Sequence, residues 1–274
     1  MKAFYKLSIA TLAATMVACG GSSDDAREAP HTELLVGLNS DEIVATDNNL
    51  GYSIELNEVR IAIDDLQFTV AGEAHASLFE KVSDFIFSPA YAHPGHYEGG
   101  EIVGELKGSF IADWFNTGNN SLGTGRLLGG TYTAANFYLG RGSADALGGS
   151  DPLIGHTAII GGVATRSGES VAFTIVVDSA DGRYIVGVPF EAQIDGNSFG
   201  TIGFGFAIQN PINNELDTIF DGIDFLALDT DVDGILSLEP PAEGAAVDDT
   251  VRAYNIFKAK FETHDHYILT YSEQ

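Results

Sequence analysis

The sequence predicts a mainly β protein, an antiparallel β-sandwich carrying a small C-terminal α-helical insertion. Three observations predict it. Apolar and polar residues alternate with period two through much of residues 50–210, the pattern of a half-buried strand. The composition is rich in 17 Phe and 10 Tyr, which favour a pleated surface, and in 32 Gly, which favour turns. The runs recur at about 8–12 residues with Gly, Asn and Asp between them, as in stacked antiparallel sheets.

Taken in order, the chain opens with residues 1–18, in which Lys2 and Lys6 precede an apolar stretch from Leu7 to Ala18. The stretch is shorter than the ~20 residues a bilayer-spanning helix needs and has the layout of a signal peptide. Met16-Val17-Ala18-Cys19-Gly20 resembles the lipobox of bacterial lipoproteins. That resemblance implies a diacylated Cys19 as the mature N-terminus and, with Gly20 next, sorting to the outer membrane. The alternative is a plain secretory signal with an incidental cysteine. Residues 19–32 then read as lipidated Cys and flexible tether, because a Gly/Ser/Asp tract has no apolar periodicity. Residues 33–274 are expected to form the folded domain.

Strands are expected at 52–56, 60–63, 68–70, 101–114, 131–139, 156–165, 171–177, 184–194 and 201–209. Ser167-Gly168, Asp181-Gly182 and Asp195-Gly196-Asn197 read as hairpin turns between them. Beyond residue 213 the beat changes. Leu216, Ile219, Phe220, Ile223 and Leu226 recur at helical spacing. Asp248-Asp249 suits the cap of a second helix, with Val251, Tyr254, Phe257 and Phe261 as its apolar stripe. A last strand is expected at 264–271. The rival architecture is a membrane β-barrel, but runs such as Phe173-Thr-Ile-Val-Val are apolar on both faces and do not fit lipid-out, water-in alternation.

Composition excludes several functions. The 13 Lys+Arg against 39 Asp+Glu give a net charge of −26, and removing residues 1–18 takes two lysines and no acid, leaving −28. Such a chain has no basic face for nucleic acid and no electrostatic dock on an anionic membrane, so membrane contact is expected through the lipid alone. A single Cys excludes a disulfide framework and a thiolate zinc finger.

Two constellations could bind metal. Asp229-Thr-Asp231-Val-Asp233-Gly234 is the opening of an EF-hand-type calcium loop: carboxylates at alternate positions turn to one centre, and Gly permits the sharp turn. The bidentate Glu of position twelve is replaced by Pro240, with Glu239 one place early. The motif therefore predicts a shortened calcium loop at 229–239, or else a solvated acidic turn. The second constellation is histidine. In His93-Pro94-Gly95-His96 the Pro-Gly pair fits a type II turn, which brings the flanking Cα atoms within about 7 Å. In a strand, His264 and His266 share a face, and His156 opens a predicted strand. Imidazoles without thiolate suit zinc, copper or nickel; a lone pair better suits an exposed polar turn or strand end, and it is the presence of two pairs that favours a metal site. Gly196-Asn197-Ser198-Phe199-Gly200 matches a nucleophile elbow in letters only, because strands flank it on both sides.

Gly51-Tyr-Ser-Ile-Glu-Leu-Asn-Glu-Val-Arg-Ile-Ala-Ile, Ala92-His-Pro-Gly-His96 and Thr218-Ile-Phe-Asp-Gly-Ile-Asp-Phe-Leu-Ala-Leu-Asp229 resemble stretches of the methanobactin-associated copper-binding proteins. The resemblance covers scattered parts of residues 50–270. It implies histidine-based metal binding at His93 and His96. The oxidised Trp ligand of some members has no counterpart, since Trp114 is not beside a histidine.

The expectation is thus a lipid-anchored outer-membrane protein of the cell envelope. It binds copper or zinc through His93, His96, His264, His266 and His156, with a structural calcium at Asp229, Asp231, Asp233 and Glu239. It is not an enzyme, and its partners are metal ions and an outer-membrane receptor or other envelope protein. The alternative is a surface interaction module in which the histidines have no metal role.

Overall fold

A computed structural model describes residues 31–70, 101–116, 118, 120–211 and 217–273. The expected leader, Cys19, and the expected tether as far as residue 30 lie outside these residues, as do His93 and His96. The strands are β1 (His31–Asn39), β2 (Thr46–Asp47), β3 (Ser53–Val70), β4 (Glu101–Asp113), β5 (Ser121–Leu128), β6 (Gly130–Leu139), β7 (Ala158–Arg166), β8 (Glu169–Val177), β9 (Arg183–Ile194), β10 (Gly200–Phe206), β11 (Ile235–Leu238) and β12 (Tyr267–Glu273). The helices are α1 (Ala144–Leu147), α2 (Phe225–Leu228) and α3 (Asp249–Phe261).

The protein is mainly β, but the expected pair of facing antiparallel sheets is corrected. The hydrogen-bond ladder is one mixed sheet of 12 strands. Eight of them, in the order β3-β4-β5-β1-β10-β12-β9-β6, close on themselves because β6 returns to pair with β3. Closure leaves no edge in that ring. The pairs β1·β10, β12·β9 and β11·β8 are parallel.

The three short runs expected between 52 and 70 are one 18-residue strand. Its first half pairs with β7 and its second half with β6, while β4 lines the other edge. A bulge between Asp64 and Leu66, with Asp65 at φ 42°, bends the strand where it changes partners. β1 begins at His31, so the tether expected to run to residue 32 yields its last two residues to the barrel. Thr32 is buried there and donates from Oγ1 to the Ser198 carbonyl (3.1 Å).

Alternation decides the barrel's inside. Leu34, Val36, Phe68, Leu127, Ile202 and Leu269 are buried within it. Aromatic rings fill the centre: Phe68 and Phe190 lie 5.5 Å apart, Phe137 and Phe204 5.3 Å, and Phe137 and Tyr267 5.0 Å. Trp114 is a core residue whose Nε1 donates to the Phe204 carbonyl (3.1 Å). Glu33, Lys107, Arg183 and Glu191 face outward. That polarity is the reverse of a lipid-facing barrel's.

β7, β8 and β11 form a wing off the first half of β3. The chain from 217 to 228 and helix α3 cover the wing, with Phe173 packed on Phe220 (5.4 Å) and Phe225 (4.9 Å), and Phe220 on Phe257 (5.5 Å). Phe261 meets Tyr267 at 6.2 Å and joins this layer to the barrel core. α3 starts as its sequence predicts, with the Asp248 side chain accepting from Val251 N (2.9 Å). The first expected helix is corrected: Leu216 lies outside the described residues, and of the described residues only Phe225–Leu228 are helical, while 219–222 form turns. Short acids there compete for the backbone. Asp221 accepts from Thr218 N (3.1 Å) and from Asn49 N (2.8 Å), and Gly222 takes φ 87°. Ile219, Phe220 and Ile223 remain fully buried, so the apolar spacing serves a chain of turns instead.

Of the three expected hairpins, Ser167-Gly168 alone joins paired strands, β7 and β8. The Asp181-Gly182 turn carries the chain from wing to barrel. The 195–199 turn joins β9 to β10, between which β12 is inserted. The terminal strand also starts later than expected, since His264–His266 is a 3-10 turn capped by the Thr263 side chain.

Candidate metal centre

The Asp loop connects α2 to β11. Asp229 closes α2 and is 6% exposed. Its Oδ2 accepts from Gly234 N (2.9 Å) and its Oδ1 from Asp233 N (3.3 Å). The loop turns sharply because Val232 and Gly234 both adopt positive φ, 56° and 78°. Gly234 is pinned to the wing by the bond from Ala172 N to its carbonyl (2.8 Å). With the backbone so held, carboxylate oxygens of Asp229, Asp231 and Asp233 lie within 4.8 Å of one another. Like charges at that spacing repel, and a hard divalent cation that takes six to eight oxygen ligands relieves the repulsion. The further ligand position that such a loop offers from its backbone is the carbonyl of residue seven, here Ile235.

Glu239 does not join them. From Ile235 onward the chain is extended, in parallel register with β8. At about 3.3 Å per residue, Glu239 lies roughly 13 Å beyond the strand's start. Its carboxylate accepts from Ser237 Oγ (3.3 Å).

Among the described residues, no histidine joins a cluster of metal-ligating side chains. A strand would place His264 and His266 on one face, but the 3-10 turn separates them. His266 is 1% exposed and its Nδ1 lies 3.1 Å from the Ala207 carbonyl. Burial pushes its pKa down to about 4, against the pull of that carbonyl. Its neutral ring is thus a core hydrogen-bond donor. His264 Nε2 lies 3.5 Å from Asp265 Oδ1. His156 precedes β7 instead of opening it, and its Nδ1 lies 2.9 Å from Asp178 Oδ1. Arg141 Nη1 approaches the same oxygen at 3.4 Å. Among the described residues, Asp229, Asp231 and Asp233 are the group of metal-ligating side chains that converges, and no histidine belongs to it.

Sequence reasoning passed over Asp178, Arg141 and Asp64. Two of these gave no local signal. Asp64-Asp65 did: a pair of acids interrupting the apolar beat of Ile61-Ala-Ile-Asp-Asp-Leu marks the bulge in β3. The letters of the nucleophile elbow resolve into a turn, with Ser198 Oγ accepting from Asp195 N (2.8 Å).

No family model, curated protein or solved structure matches the chain.

Proposed function

We propose that this protein is a lipid-anchored, cation-binding module of the bacterial cell envelope, shaped by calcium at Asp229, Asp231 and Asp233 and acting by binding, not catalysis. One observation carries the reading: three carboxylates at the spacing of a calcium loop converge to within 4.8 Å on a backbone already turned for them. The anchor is Cys19, on the strength of its lipobox. The net charge of −26 raises the local concentration of cations around the molecule. With His266 committed to Ala207, this reading assigns the copper or zinc site to His93 and His96, which lie outside the described residues.

A second reading is an interaction module that uses calcium and no transition metal. Val232 and Ile235 favour it, being 83% and 65% exposed in the Asp loop and at the start of β11, the strand that ends the wing.

Thermal melts across a calcium titration test the calcium site. A ligand bound only by the folded state stabilises it by about 2.7 kcal/mol at a hundred times Kd. The melting temperature should rise with calcium, return with a chelator, and stop responding in Asp231→Ala. A full response in that variant places calcium elsewhere. Calorimetry with Cu²⁺ on the wild type and on His93→Ala/His96→Ala then separates the two readings, since the interaction module predicts no tight copper site in either.

A further inference from the structure

The closed strands end in two rims, and the chain enters the barrel at one of them. β1 starts there, with His31 opposite Leu128 at the end of β5. The register puts the end of β3 and the start of β4 at the same level, Val70 opposite Glu101. Gly130 of β6 lies opposite Ile194 of β9, and Gly200 of β10 opposite Glu273 of β12. This entry rim therefore gathers the 195–199 turn, the close of β12 and the point at which residue 30 meets the barrel. The wing lies toward the other rim. Gly234, in the Asp loop, accepts from Ala172 N; Ala172 pairs with Val163, and Val163 with Glu55. The run of β3 from Glu55 to Val70 is roughly 50 Å long at about 3.3 Å per residue.

The entry rim shows apolar side chains to solvent. Phe199 is 75% exposed, the most exposed phenylalanine among the described residues, and Ile102 on β4 is 49% exposed. Phe199 stands beside the point of entry. Thr32 Oγ1 donates to the carbonyl of Ser198, its neighbour in the chain (3.1 Å), and Tyr271 Oη donates to the carbonyl of Phe199 itself (3.4 Å). The turn that displays the ring is thus held from both β1 and β12.

The chain before His31 decides what meets this rim. Residues 19–30, even fully extended, reach at most about 43 Å from Cys19 to His31. A lipid on Cys19 therefore keeps the entry rim within that distance of the bilayer. A tether of this reach raises the effective concentration of lipid around Phe199, so that a contact too weak for the free protein can form. Exposed charges on the rim include Glu101, Asp195 and Glu273, which anionic headgroups would repel. The contact chemistry is instead apolar, an aromatic ring at the boundary of headgroups and acyl chains.

We propose that the barrel stands on the bilayer with its entry rim down, Phe199 seated in the interfacial lipid and the Asp loop held away from the membrane. The proposal rests on the Cys19 anchor and adds to it an orientation and a contact residue. The test uses the full lipidated chain in uncharged phosphatidylcholine vesicles. With Cys19 taken up by lipid, the cysteine introduced by Asn197→Cys or by Ile235→Cys is the sole thiol for a bimane label. Brominated phosphatidylcholine should quench the label at 197 severalfold more strongly than the label at 235. Phe199→Ser, a change at an exposed site that should leave the melting temperature where it is, should cut the quenching at 197 severalfold. If the protein does not float with the vesicles, the anchor fails and the proposal with it. If it floats but the label at 197 is quenched no more than the label at 235, or equally in Phe199→Ser, the anchor stands and the proposed contact is overturned. In unlipidated Cys19→Ala protein, iodide should reach the label at 197 freely. A label shielded there would put another part of the chain or a second copy over the rim, and would also overturn the proposal.

Discussion

His266 shows how one residue's chemistry is reset by its surroundings. Free histidine titrates near pH 6.5; burial under 3-10 turn and barrel wall lowers this one to about 4, with Lys260 pushing the same way and Asp265 and Asp217 opposing. The unfolded chain therefore takes up a proton as pH falls through about 6.5, while the folded chain does not until about 4. Stability is full above the unfolded pKa and declines across that window, by on the order of 3 kcal/mol. Denaturant titrations at pH 7.5 and 4 should differ by more in wild type than in His266→Gln, which keeps a donor for Ala207 and cannot titrate. An unchanged pH dependence in that variant would mean that His266 is not the group responsible. At the same scale, the Asp loop was legible in the sequence because its ligands are neighbours in the chain. His266 was not, because its partner is 59 residues away.

Among the elements, α3 was legible in its cap and its apolar stripe. Its cap lies in the local sequence, and its stripe of Tyr254, Phe257 and Phe261 faces the core as the spacing requires. Lys258 and Lys260 in its last turn complement the helix dipole. Asp248→Ala removes the bond to Val251 N and should cost about 1 kcal/mol. A fall in melting temperature of about 2–4 °C is expected for a chain of this size; no fall would mean that the free N–H groups find another partner. The segment before α2 has an equally helical apolar spacing but lies in turns. There the decision belongs to distant groups: Asn48 Nδ2 donates to the carbonyls of Phe220 (3.1 Å) and Ile223 (3.2 Å), and Lys260 donates to Asp217 (2.5 Å). Tyr52 adds a hydroxyl that donates to Asp224 (2.5 Å) and accepts from Leu226 N (2.9 Å). These bonds satisfy the backbone that a helix would otherwise have to satisfy itself.

For the whole molecule, closure is the governing fact. β12, the last strand, lies between β10 and β9 and completes the ring. It also supplies Tyr267, whose ring meets Phe137, Phe204, Phe206 and Phe261. Deleting residues 267–274 should thus do more than remove one strand. It should leave β9 and β10 as open edges over an exposed aromatic core, with loss of a cooperative melting transition and a shift to larger species in size-exclusion chromatography. A monomeric deletion variant that melts cooperatively would refute the role of closure. By itself the sequence determined that the protein is mainly β, the alternation of many of its strands, the Ser167-Gly168 hairpin, how α3 begins and which carboxylates converge at 229–233. All of these depend on residues within a few positions of one another, whose geometry is set by local sterics and hydrogen bonding. Only the tertiary structure decided that the sheet is mixed and closed, that β12 enters between β9 and β10, that β3 passes from β7 to β6 along its length, and that no described histidine joins the acidic cluster. Period two says which face of a strand is buried but not which strand lies beside it, because any extended backbone offers the same donors and acceptors. The partner is chosen by how one common core packs, and that information is spread over the whole chain.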